Sequence, residues 1–187
     1  ENQWKKIWDD LLITLEDDFS SKELDYSPKS DANGHFMGAV VIIGPETSHQ
    51  EARWLIIDGQ QRLTTISILS SCLYQFLDYV RDIRRKRAME SALINNFVSM
   101  SANYSSRILL NRENEFYQKS INENFDWDSK LKYWDENFHE EKEVQRSLKG
   151  AFLFFHEKIN GLLDSVDEEE KELKLSAVVD ALNQNLY

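Results

Sequence analysis

The feature that most limits the fold is a change of period inside one short stretch, "WLIIDGQQRLTTISIL" at residues 54–69. Trp54 to Ile57 form an apolar, β-favouring run. Beyond the polar knot Leu63, Ile66, Leu69, Leu73, Phe76, Val80 and Ile83 recur every three or four residues. The first pattern is that of a strand and the second that of one helix face. A strand must therefore hand the chain to a helix across Asp58, Gly59, Gln60, Gln61 and Arg62, and the repeat predicts one long helix from Arg62 to about residue 86.

Around this junction the pattern is mostly helical. Trp4, Ile7, Trp8, Leu11, Leu12 and Leu15 keep helical spacing in the opening segment, with acids and lysines opposite. Residues 20–34, with Pro28 and Gly34, read as a loop. "HFMGAVVII" (35–43) reads as a strand, "GPETSHQEA" (44–52) as a turn and "RWLII" (53–57) as a second strand, close enough to the first to pair antiparallel. Further on, "MESALINNFVS" and "ENEFYQKSI" read as helices and "SRILLN" is ambiguous. "KEVQRSLKGAFLFFHEKINGLLD" is strongly periodic, and a last helix follows the acidic "DEEE". The fold expected is α+β, mostly helical, with a small sheet packed on a helical part. Only two Pro and six Gly accompany five Trp, seven Tyr and ten Phe, which argues against disorder and against a many-stranded sandwich. Residues 1–187 suit one domain, about 1–90 carrying the small sheet and about 91–187 being helical. Because the chain opens on Glu1 and closes on the apolar "SAVVDALNQNLY", it is expected to be a fragment of a longer protein.

Charge and cysteine use narrow the function. A net charge of −11, from 33 acidic and 22 basic residues, is the wrong sign for gripping nucleic acid over a broad face. The lone Cys72 offers neither a disulfide framework nor a thiolate cluster and suits a reducing, cytoplasmic setting. No apolar run reaches the roughly 18 residues of a membrane span, so no membrane partner is expected.

The strand-to-helix turn is the candidate site. A helix N-terminus presents N–H groups and partial positive charge. Gly59 permits close backbone approach, and Arg62 adds a forked cation suited to phosphate. Asp58 can hold Mg²⁺, and Gln60 and Gln61 both donate and accept. Together they suit a nucleotide. Against this stands a capping box, with Asp58 and Gln61 satisfying backbone donors and merely starting the helix. The Gly-Lys-Ser/Thr ending of a P-loop is absent. On the residues alone, both readings stay open.

The strings "IDGQQRLTTI", "HFMGAVVI" and "QWKKIWDDLL" resemble the N-terminal domain of GmrSD-type, modification-dependent (type IV) restriction endonucleases, which carry a DGQQR motif on a ParB/sulfiredoxin-like fold. "SRILLNRENEFYQKSI" and "SLKGAFLFFHEKI" resemble later landmarks of that family. The resemblance implies a nucleotide-binding, NTP-hydrolysing sensor domain of bacterial anti-phage defence that controls cleavage of modified DNA by a separate HNH-type nuclease domain or subunit. Carried over, Asp58, Gly59, Gln60, Gln61 and Arg62 become the nucleotide site, Asp58, Gln61 and Arg62 its catalytic members, and Asp58 the residue at Mg²⁺. The base of the NTP is left open, and DNA is met only indirectly. Family members also carry a Gln-Arg pair shortly before the Trp-rich helix, and this chain opens just after that place. The alternatives are a nucleotide- or modified-DNA-binding module without turnover and a helical interaction domain that docks a nuclease.

Other candidates have simpler explanations beside them. His35 is a further pocket candidate if the two strands pair, with a structural role as its alternative. "RDIRRKR" (81–87) is either a phosphate patch or a solvated cluster at a helix C-terminus. Phe152, Phe154 and Phe155 read as core before partner surface, and "DEEEKE" as a solvated helix start. His156 and Glu157 point to different faces of one helix. With His35, His49, His139 and His156 dispersed, no His-Asn-His site assembles, and the chain alone is expected not to cut DNA.

Overall fold

The computed structural model describes residues 2–19, 38–46, 53–94, 115–121, 126–138, 143–164 and 166–184. His35, His49, His139, the 20–34 loop and "SRILLN" lie outside the described residues.

Helix α1 (Asn2–Phe19) forms where the periodicity requires it: Ile7, Trp8, Leu11 and Leu15 are buried, while Lys5 and Lys6 are exposed. Strands β1 (Val41–Glu46) and β2 (Arg53–Asp58) pair antiparallel, with Val41 opposite Asp58, Ile42 opposite Ile56 and Ile43 opposite Leu55. The pairing is thus as expected, but β1 is displaced. Residues 38–40 are not strand, and the strand continues through Gly44, Pro45 and Glu46, expected as turn. The register slips between Ile43 and Glu46, which is where a proline without an N–H can be accommodated.

The long helix is corrected. The chain forms α2 (Gln60–Gln75), a 3-10 turn (Leu77–Tyr79) and α3 (Ile83–Leu93). The break buries Phe76, Leu77 and Val80 together, stacks Phe76 on Tyr79 and leaves Ile83 68% exposed instead of in the core. Asp82, in an extended conformation, restarts the helix by accepting from the N–H groups of Arg84 (2.8 Å) and Arg85 (3.1 Å). The basic run therefore sits at a helix start, not a helix end, where the macrodipole disfavours cations. Acidic partners offset this: Arg81 pairs with Glu168, Arg85 with Glu172 and Lys86 with Asp78.

Helices α4 (Glu115–Ser120), α5 (Trp127–Asn137), α6 (Glu143–Asp164) and α7 (Glu168–Gln184) complete the described elements. Helix α2 is buried continuously from Thr65 to Leu73 and packs chiefly on α6. Ser67, Ser70, Ser71 and Cys72 keep its girth small, and the Cys72 thiol donates to the Phe152 carbonyl (3.6 Å). Phe152 and Phe155 are core, with Phe154 packed at its edge. Trp134 is fully buried and donates its indole N–H to Ser120 Oγ at 2.8 Å. Helix α1 lies against α7 and α6. Among the described residues no helix is long and apolar enough to cross a membrane. The β1–β2 ribbon rests on this helical body through Ile56, while Val41, Ile42, Ile43, Leu55 and Ile57 are exposed.

Candidate functional site

Strand β2 ends on Asp58 and α2 begins on Gln60, so the whole change of direction falls on Gly59. Gly59 has φ 91° and ψ 1°, and a Cβ there would lie 3.0 Å from Val40 Cγ2. The handedness favours glycine, and a Cβ would also crowd Val40. The turn is tied by Gly59 N–H donating to Asp58 Oδ1 (2.8 Å) and by Gln60 Nε2 donating back to the Ile56 carbonyl (2.6 Å). Arg62, one turn into α2, donates from Nη2 to the Ala39 carbonyl (2.6 Å) and lies 3.4 Å from Asp58 Oδ2. A second positive-φ glycine, Gly38, makes room for it: a Cβ at Gly38 would collide with Arg62 Nη1. The guanidinium is thus held between the approach to β1 and the end of β2, 27% exposed, beside an Asp58 carboxylate that is 68% exposed.

This geometry is not a capping box. The residue in the N-cap position is Gly59, and among the described residues no side chain caps α2. Asp58 turns its oxygen to its neighbour's N–H. Helices α3, α5 and α7 show what a cap looks like in this chain, since Asp82, Asp126 and Asp167 accept from backbone N–H groups in the first turns. Those bonds hold the Asp82 and Asp126 carboxyls below the usual carboxylate range.

The turn opens into a cleft of about 550 Å³ lined by Ile57, Asp58, Gly59, Gln60, Gln61 and Arg62. Helix α1 also lines it, through Gln3, Lys6, Ile7 and Asp10. The structure therefore brings all five residues of the DGQQR string to one cleft, and His35 falls outside the described residues. Sequence reasoning missed the α1 wall. Its only signal is that Gln3, Lys6 and Asp10 recur at helical spacing, which any solvated helix face also shows. An ion pair beside an uncapped helix N-terminus suits an anionic ligand with a polar, bidentate edge. Among the described residues no three His, Cys, Asp or Glu side chains group to hold a metal. Asp58 offers a single exposed carboxylate, which fits a magnesium ion completed by a ligand's phosphates and not one caged by protein.

Two groups with familiar chemistry lie elsewhere. Cys72 is buried and its thiol is pushed up to about 12 by burial, so it packs and does not react. His156 stacks on Trp127, with centroids 3.7 Å apart and planes 8° apart, and lies 4.9 Å from the Phe76 ring. Burial, then the nearby Lys130 charge, lower its basicity.

No curated protein and no solved structure matches the chain, so the ParB/sulfiredoxin-like description rests on sequence resemblance. Residues 1–185 match the family model described as "GmrSD restriction endonuclease, N-terminal domain", and the chain thus belongs to that family as a domain of a restriction system.

Proposed function

We propose that this chain is the nucleotide-binding sensor domain of a type IV-like, anti-phage restriction system, taking an NTP at the DGQQR turn and through it controlling an HNH-type nuclease domain or subunit that cuts modified DNA. The observation that carries this reading is the cleft itself: an uncapped α2 N-terminus, a glycine that admits close backbone approach and the Asp58–Arg62 pair line one space of nucleotide size. In this reading the first-turn N–H groups and Arg62 receive the phosphates, and Gln60 and Gln61 orient the rest of the ligand. Asp58 would hold Mg²⁺ together with the phosphates. When bound, the ion neutralises phosphate charge. For hydrolysis, Gln61 would orient the attacking water, since its side chain both donates and accepts, and Arg62 would stabilise charge on the leaving phosphates.

Phosphate release and thermal shifts with the common NTPs and Mg²⁺ test it. The wild type should be stabilised by at least one nucleotide and should release phosphate. Gln61→Ala, at an exposed side chain, should lose turnover and keep more of the shift than Arg62→Ala does. Arg62→Ala should lose the shift, and it should also cost some apo stability, because the structure gives Arg62 a bond to Ala39 that the sequence did not reveal. Absence of any shift in the wild type would refute the nucleotide reading. A shift without phosphate release would leave a binding module.

A further inference from the structure

Helix α1 carries two adjacent lysines with different surroundings. Lys5 is held by Asp9, one turn along the same helix. Lys6 is exposed, forms no ion pair among the described residues and lines the same cleft as the DGQQR turn. At the turn Arg62 already donates to Ala39 and leans on Asp58, so part of its donor capacity serves the fold. Each segment thus brings one acid and one base a helical turn apart, Lys6 with Asp10 and Asp58 with Arg62.

We propose that Lys6 is a second phosphate-binding cation of this site, so that the ligand's phosphate chain crosses the cleft from the α2 N-terminus to α1. The inference rests on the nucleotide reading above and sharpens it to a class of ligand. One phosphoryl group at a helix N-terminus is served by backbone N–H groups and Arg62. A cation on α1 meets an anion only when the chain of phosphates extends to it. The site therefore selects nucleoside di- and triphosphates over monophosphates, and its occupation ties α1 to the β2–α2 turn. Since α1 also packs on α6 and α7, the bound state reaches both long C-terminal helices.

The test compares the mono-, di- and triphosphate of one nucleoside, with Mg²⁺, by titration calorimetry on wild type, Lys6→Ala, Lys6→Arg and Arg62→Ala protein. Lys6→Ala should weaken triphosphate binding about tenfold or more while leaving monophosphate binding and apo melting temperature unchanged. Lys6→Arg should restore most of the loss. Inorganic tripolyphosphate should compete with the nucleotide on wild type and poorly on Lys6→Ala. If Lys6→Ala binds the triphosphate as wild type does while Arg62→Ala does not, the role of Lys6 is overturned and the nucleotide site stands. Equal weakening of mono- and triphosphate also overturns it, because that is a general charge effect. If wild type binds none of the three, the site and the inference fall together.

Discussion

Helix α2 and the β1–β2 ribbon use the same aliphatic residues to opposite ends. In α2, Ile66, Ile68, Leu69 and Leu73 are buried against the helical body, whereas Val41, Ile42, Ile43, Leu55 and Ile57 of the ribbon are exposed. The two segments join at Gly59, and the candidate site lies at that seam. The contrast teaches that stability and the candidate site are carried by different parts of one continuous stretch. Most apolar burial belongs to the helices, whereas Ala39, just before β1, and Asp58, at the end of β2, hold Arg62.

The hardest blow to this contrast would come from the core. Phe155 is fully buried, with Trp8 and Phe154 beside it, so Phe155→Ala should cost about 3–5 kcal/mol in denaturant unfolding. A cost below about 1 kcal/mol would mean that the helical body does not carry the stability. At the seam, Gly59→Ala places a Cβ against Val40 on a backbone with φ 91°, and should cost about 1–3 kcal/mol by the same assay. If it were neutral, the turn would be able to relax and the cleft would not be preset.

A smaller effect concerns pH. The folded-state basicity of His156 lies below the ordinary value of 6.5, first through burial and then through the Lys130 charge. As pH falls, the unfolded chain therefore binds this proton first. The contribution is complete above about 6.5 and is lost as pH drops from there towards the folded value. Melting temperature should fall through that window, and His156→Phe, which keeps the stack on Trp127, should flatten this part of the profile. An unchanged slope would show that His156 is not its source. The smallest effect is expected on the ribbon, where Leu55→Thr, at a side chain 58% exposed, should change stability by no more than about 0.5 kcal/mol. A larger loss would reveal that the ribbon's outer face is not solvated and would break the comparison outright.

Much of this is legible in the sequence. The amphipathic spacing of α1 and α6 and the paired strands are local patterns, and the DGQQR string announced both the turn and the family. What escaped depends on distant parts of the chain. The break at Phe76–Asp82 contains neither Gly nor Pro, and its apolar residues continue the α2 repeat. Only the burial of Phe76, Leu77 and Val80 together makes turning cheaper than continuing. Asp82 was the available clue, an N-cap residue ahead of a basic run. The capping-box pattern at Asp58 and Gln61 misled because the same residues serve a cap or a cleft, and the positive φ of Gly59 decides between them. Lys130, 1% exposed, had no signal in the sequence, since a lysine in a polar helical segment reads as solvated.

The bond from Arg62 to Ala39 joins residues 23 positions apart. Helix α2 can nucleate from neighbours along its own length, whereas the bond of the guanidinium to Ala39 requires a distant part of the chain to be brought alongside, at the entropic cost of closing the span between them. Completion of the candidate site is accordingly expected late in folding. On this reasoning a chain that regains its helical signal and its buried tryptophans is expected to lack the finished candidate site until the strand has paired.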